Sequence, residues 1–199
     1  RQGEIGVIAS TQLTVEELYL IRKLFKESLG MSQCAASMPA KPGYSDNFLI
    51  QADKSPNTEG AALLGLTAVS AGELSLKGSD IIQGALAGTI KALWLFGIDV
   101  GALFGGETLQ KLSEGLELFV FQGSNENATS QAAHWVLPSA VYAEKDGTFV
   151  NCESRVQRIV KAFPPLKDSK ADWEILLELA KRLGFPLGLK GPEEIFAAM

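Results

Sequence analysis

Apolar and polar positions alternate between two periods along the chain. Residues 4–10, EIGVIAS, form a short apolar run closed by small polar residues, as expected of a strand buried on both faces. TVEELYLIRKLFKESLG follows with a helical period. Thr14 and Glu17 stand at capping-box spacing, Leu18, Ile21, Phe25 and Leu29 share one face, and Gly30 is placed to end the helix in the left-handed conformation. A strand followed by an amphipathic helix is half of a βαβ unit.

The pattern then breaks. Residues 31–60 hold three prolines and two glycines among scattered Ser and Asn, which predicts an irregular loop, with Tyr44 and Phe48 packing part of it down. Order returns at GSDIIQGALAG, a short helix capped by Ser79 or Asp80 and ended by Gly88. KALWLFG is a second buried strand, GGETLQKLSEG a short helix, LELFVFQG a third strand, NATSQAA a helical turn and WVLP a fourth strand. SKADWEILLELAKRLG places Trp173, Leu176, Leu177 and Ala180 on one stripe, with Lys181 and Arg182 in its last turn, and Pro192 opens a final helix. The sum is an α/β fold with an open, mostly parallel sheet and helices on both faces. Residues 1–199 read as one domain, with the irregular loop at 31–60 and a polar ribbon at 138–165.

Composition narrows the function classes. The net charge of −5, with acids and bases well mixed, argues against nucleic-acid binding. No stretch reaches the ~20 apolar residues that span a bilayer, so direct membrane insertion is not expected. Two cysteines, Cys34 and Cys152, are too few for a four-cysteine cluster or zinc site, and their low number fits a reducing compartment. The chain opens on a strand without an initiator Met, which reads as a fragment of a longer protein.

In open α/β sheets ligands sit beyond the carboxyl ends of the strands. Those ends fall at residues 97–101, 122–130 and 137–147. Gly97, Gly101, Gly105 and Gly106 would let a phosphate approach backbone amides, but their spacing is not GxGxxG, and tight turns are the simpler use of them. Asn125, Glu126, Asn127, Thr129 and Ser130 could bond a heterocycle edge; a helix cap at Ser124 or Asn125 is the simpler reading. His134 has no acidic partner nearby in sequence and reads as structural, Cys152 as a plain thiol, and Glu144, Lys145 and Asp146 as a solvated turn. No catalytic constellation and no metal-ligand set emerges from spacing, and the missing fingerprint speaks against a free-standing NAD-binding module.

VLPSAVYAEKDGTFVNCESRVQ, residues 136–157, resembles a signature of the molybdopterin oxidoreductase family. LWLFGIDVG upstream and ADWEILLELAKRLG downstream support the resemblance. DNFLIQADKSPNTEGAALLGL is similar to one branch, the large peripheral-arm subunit of NADH-quinone oxidoreductase, respiratory complex I. The resemblance implies a ribbon along the sheet's carboxyl edge that helps enclose a pterin dinucleotide, with Glu144 and Arg155 holding it by charged hydrogen bonds. Gly97, Asp99, Asn125, Glu144, Gly147 and Asn151 are the implied contacts if a pterin cofactor is retained, as in a formate dehydrogenase. Departures from the family pattern stand at Ala133-His134-Trp135, Gly97-Ile98-Asp99-Val100, Asn127-Ala128-Thr129-Ser130, Cys152 and Ser154. They imply a domain that keeps the fold without the molybdopterin. For this branch the resemblance further implies iron–sulfur clusters upstream in the full-length chain. The implied partners are those cluster domains and other peripheral-arm subunits, on the cytoplasmic side of the inner membrane.

Overall fold

A computed structural model describes residues 2–39, 43–66 and 76–199, without the side chains of 76 and 77. A five-stranded parallel sheet organises them. The sheet contains β1 (Ile5–Ser10), β2 (Cys34–Ser37), β3 (Ala92–Phe96), β4 (Leu118–Gly123) and β5 (Trp135–Pro138), in the order β2-β1-β3-β4-β5. That order winds outward in both directions from β1 and β3, so a crevice opens between their carboxyl ends.

Helices cover both faces. On one side α1 (Val15–Ile21), its π-helical continuation Arg22–Ser28, and the later helices α7 (Asp172–Arg182) and α8 (Pro192–Ala197) pack Leu18, Ile21, Leu24, Phe25, Leu176, Ala180 and Ile195 against Val7, Ala9 and Phe96. On the other, α3 (Leu76–Leu86), α4 (Val100–Phe104) and α5 (Gly106–Gly115) pack Ile81, Ile82, Leu103, Leu109 and Leu112 against Ile8, Leu93, Leu95, Phe119 and Phe121. Strands β1, β3 and β4 are apolar on both faces for this reason. The Thr14–Glu17 capping box forms as the spacing requires, and Gly30 and Gly88 end their helices at positive φ.

Three readings of the sequence change. The stretch 31–60 holds β2 and a short helix, α2 (Thr58–Leu63), and Tyr44 and Phe48 stand exposed instead of packing down. Asp46 orders the turn after Tyr44 by accepting the amides of Phe48, Leu49 and Ile50, which holds its carboxyl below the ordinary range. Ser79 and Asp80 lie inside α3, not at its cap. The short helix after β4, α6 (Ala128–Ala132), is capped by Asn127 in place of Ser124 or Asn125. The two cysteines form no disulfide, Cys34 lying buried and Cys152 exposed.

The ribbon is a separate antiparallel pair, β6 (Gly147–Val150) and β7 (Val156–Ile159). A lone two-stranded ribbon is marginal in water. Here its inner edge is tied by buried side chains. The Thr148 amide and hydroxyl donate to Glu16 at 2.8 and 2.7 Å, and the Val150 amide donates to Asn57 Oδ1 at 2.9 Å. Asn57 in turn donates to the Leu13 carbonyl at 2.8 Å. Gly147 crosses α1 so closely that an added Cβ would lie 2.5 Å from Thr14 Cγ2.

Candidate functional site

The crevice at the carboxyl edge is a cavity of about 560 Å³. Its walls come from every part of the fold that ends there. Ser10 ends β1 and Gln12 follows it, Gly97 follows β3, Gln122 and Gly123 end β4 with Ser124 and Asn125 just beyond, Ser139 to Tyr142 leave β5, and Lys145, Phe149 and Asp172 close the floor and the ribbon side. Gly97 has φ +65°, and a Cβ there would meet Ser10 Cβ at 3.3 Å. Its glycine therefore serves both the backbone turn and the close approach of neighbouring strand ends.

A buried ionic cluster forms the floor. Lys145 Nζ lies 2.8 and 2.9 Å from the two carboxylate oxygens of Glu17, on α1, and 2.9 Å from Asp172 Oδ2, at the start of α7. All three side chains are almost fully shielded. Asp172 also accepts from Gln122 Nε2 at 2.8 Å. Burial alone would push the Lys145 ammonium down, but Asp172 and Glu17 outweigh it and hold Lys145 above the ordinary lysine range. Burial raises Glu17, Lys145 pulls it back and Asp172 raises it again, leaving Glu17 above the ordinary carboxylate range. The cluster joins three elements distant in sequence and carries one more acidic than basic group.

Lys145, expected in a solvated turn, is therefore buried, and so is Glu144. The Glu144 carboxylate accepts from the Val141 amide at 3.0 Å, closing the short turn Tyr142–Glu144. Arg155 is exposed, and among the described residues no ion pair joins it to Glu144. Of the six implied cofactor contacts, Gly97 and Asn125 line the cavity. Asp99 caps α4, accepting from the Ala102 amide at 3.3 Å and the Thr129 hydroxyl at 2.7 Å. Asn151 accepts from the Glu153 and Arg155 amides at the ribbon's turn. Gly147 packs on Thr14, away from the cavity lining. His134 is structural: Nδ1 accepts from the Phe119 amide at 3.1 Å, and Nε2 lies 3.2 Å from the Ser113 carbonyl. Sequence reasoning missed the Glu17–Lys145–Asp172 cluster, whose members lie up to 155 residues apart. The apolar residues and glycine that flank the Glu-Lys-Asp triplet were the available signal that this turn packs inward.

A pterin dinucleotide carries a pyrophosphate, so a site for it needs free positive charge or aimed amide donors. Among the described residues that line the cavity, Lys145 is the sole cation, and two carboxylates already hold it. Among these residues no unpaired cation answers the charge of that group. No cluster of His, Cys, Asp or Glu suited to a metal ion occurs among the described residues.

A profile of the molybdopterin oxidoreductase family matches residues 47–182. The NADPH-Fe(3+) oxidoreductase subunit alpha of Geobacter sulfurreducens is 45% identical over 105 residues, which are 52% of this chain and 12% of that protein. A putative formate dehydrogenase of Staphylococcus aureus is 39% identical over 117 residues, 58% of this chain and 12% of its own. The matched region thus spans about an eighth of these curated relatives. Among solved structures, acetylene hydratase from Pelobacter acetylenicus aligns with 57% of this chain and 17% of its own, at 21% identity and a TM-score of 0.48.

Proposed function

Because the chain belongs to the molybdopterin oxidoreductase family, we propose that it is an α/β domain of a longer oxidoreductase, serving there as a scaffold without a bound pterin. The branch we assign is the large peripheral-arm subunit of NADH-quinone oxidoreductase, respiratory complex I. In that setting electrons pass through iron–sulfur clusters in the upstream part of the full-length chain. The domain packs beside those cluster domains and neighbouring peripheral-arm subunits, on the cytoplasmic side of the inner membrane.

One observation carries the scaffold reading: the cavity floor is a closed ionic cluster with a surplus carboxylate. A pyrophosphate entering there finds the one lysine already held by two carboxylates, with no free cation to receive it. Asp99 and Asn151, two of the polar groups implied as cofactor contacts, are consumed by a helix cap and a turn. The branch rests on the resemblance of DNFLIQADKSPNTEGAALLGL. Inactivating the gene in its host tests the branch. Membranes that lose NADH-dependent quinone reduction support it, and membranes that keep it undiminished overturn it.

A second reading has its own observation. The cavity lies at the switch of strand order with Gly97 and Asn125 on its wall, where a family member acting as a formate dehydrogenase would hold one end of its pterin dinucleotide. Metal analysis of the full-length protein separates the two, since stoichiometric molybdenum or tungsten favours the second and its absence the first.

A further inference from the structure

The cavity floor leaves one polar atom out. Gln122, fully buried near the end of β4, donates Nε2 to Asp172 Oδ1 at 2.8 Å, while its Oε1 has no hydrogen-bond partner among the described residues. A buried acceptor is seldom left so. The rest of the cluster is engaged. Lys145 Nζ lies 2.8 and 2.9 Å from the two Glu17 oxygens and 2.9 Å from Asp172 Oδ2, and Glu17 Oε2 also accepts the Thr14 amide at 2.9 Å.

With one cation between two carboxylates, the shielded cluster carries a net negative charge, which burial disfavours. One added proton cancels it. Every carboxylate oxygen already faces an N–H donor, so a proton on any of them displaces a donor. Lys145 and the Thr14 amide have no acceptor to offer in return. Gln122 has one, because half a turn of its amide exchanges Nε2 for Oε1 in front of Asp172 Oδ1. Lys145 and Asp172 both line the cavity, which gives a proton a route from solvent.

The other titratable groups on the elements packed around the cluster are engaged elsewhere. On α1, Glu16 accepts from Thr148 and Tyr19 donates to the Ala198 carbonyl. Before the ribbon, Glu144 accepts the Val141 amide and Asp146 the Lys161 amide. Beyond β3, Asp99 caps α4. On α7 and α8, Glu174 accepts the Ala171 amide, Glu194 the Lys190 amide, and Glu193 pairs with Arg158, while Lys170, just before α7, is exposed.

We propose that the Glu17–Lys145–Asp172 cluster takes up one proton from solvent, held between Asp172 Oδ1 and Gln122 Oε1, and that this uptake turns the Gln122 amide by half a turn. An O–H bond forms on the carboxylate, the Nε2–H bond to Oδ1 is given up, and Oε1 gains the donor it lacks. Burial already holds Glu17 above the ordinary carboxylate range, in keeping with uptake by the coupled pair of carboxylates as a unit. Such a proton contributes stability below the pair's unfolded value and loses it as pH rises through the folded one. The junction of α1, the ribbon turn and α7 is therefore tighter in mild acid and looser in alkali. This pH response goes beyond the scaffold reading and stands on the cluster alone, so metal analysis and the titration below fail independently.

The test is a titration of the 199-residue chain from about pH 8.5 to about pH 4.5, spanning the approach to the ordinary carboxylate range. Infrared difference spectra count protonated carboxyls, and nitrogen NMR follows the Gln122 side-chain amide. One carboxyl is expected to become protonated above the ordinary range of about 4, and the Gln122 signal to move with the same midpoint. Asp172→Asn presents an amide donor where the protonated acid would stand, so Gln122 is expected at its acid-limit position throughout. Glu17→Gln removes the surplus charge, so the midpoint is expected to fall by about one pH unit or more, with Gln122 at its alkaline-limit position through the neutral range. The two variants hold opposite states, so loss of fold, which thermal melts detect, does not imitate both. No carboxyl protonated above the ordinary range, a Gln122 signal that does not follow it, or an unmoved midpoint in Glu17→Gln each overturns the proposal.

Discussion

Replacing Lys145 with methionine isolates the force that closes the cavity floor. The substitution keeps an unbranched side chain, one atom shorter, and removes its charge. It leaves the Glu17 and Asp172 carboxylates, both at most 2% exposed, facing each other without a counter-ion. Breaking a buried pair in this way costs about 3–5 kcal/mol, a large share of the roughly 5–15 kcal/mol that stabilises a domain. Urea unfolding followed by tryptophan fluorescence measures it, because Trp94 packs in the core and Trp173 lies at the start of α7. The penalty also has a pH signature. Glu17 is already held above its ordinary range, and loss of the ammonium raises it further. A carboxyl whose folded value is raised contributes stability below its unfolded value and loses it as pH rises through the folded one. The cost of Lys145→Met is therefore smaller at about pH 5 than at about pH 7.5. A loss under about 1 kcal/mol, typical of an exposed pair, or a loss that ignores pH, would refute a closed ionic floor.

Four further outcomes follow from the same geometry. Glu17→Gln removes the surplus charge and keeps an acceptor for the Thr14 amide, so it costs much less than Lys145→Met and flattens the pH dependence, as read by the same urea series. Asn57→Ala strands the Val150 amide and the Leu13 carbonyl. It destabilises by about 2–3 kcal/mol, with amide exchange rising first in β6. Gly97→Val forces a branched side chain to φ +65° against Ser10, which lowers stability by at least about 1–2 kcal/mol in thermal melts. A thiol reagent titrates Cys152 in the native protein and Cys34 only after unfolding, and reductant leaves the melting temperature unchanged, since the two form no disulfide.

Elements that announce themselves locally were legible in the sequence. β1, β3, β4 and β5 stand where continuous apolar runs end in small residues, Gly or Pro, and α1 and α7 follow their stripes and caps. β2 was not legible because Cys34–Ser37 consists of small residues that become a strand only by pairing with β1. The ribbon strands share this dependence, since β6 is fixed by Glu16 and Asn57 from distant parts of the chain. At the site, Gly97 and Asn125 could be placed on the cavity wall because strand ends define it. Glu144 and Lys145 were misjudged because charge in a Glu-Lys-Asp-Gly turn suggests solvent, and only the arrival of Glu17 and Asp172 makes burial of the lysine tolerable.

The central claim is a family fold that works as scaffolding with no pterin in its cavity. Elemental analysis of the full-length protein purified from its host, combined with fluorescence of oxidised pterin, tests it most directly. The account predicts iron without stoichiometric molybdenum or tungsten and no pterin signal. One molybdenum or tungsten per chain, with pterin released in proportion, would contradict it.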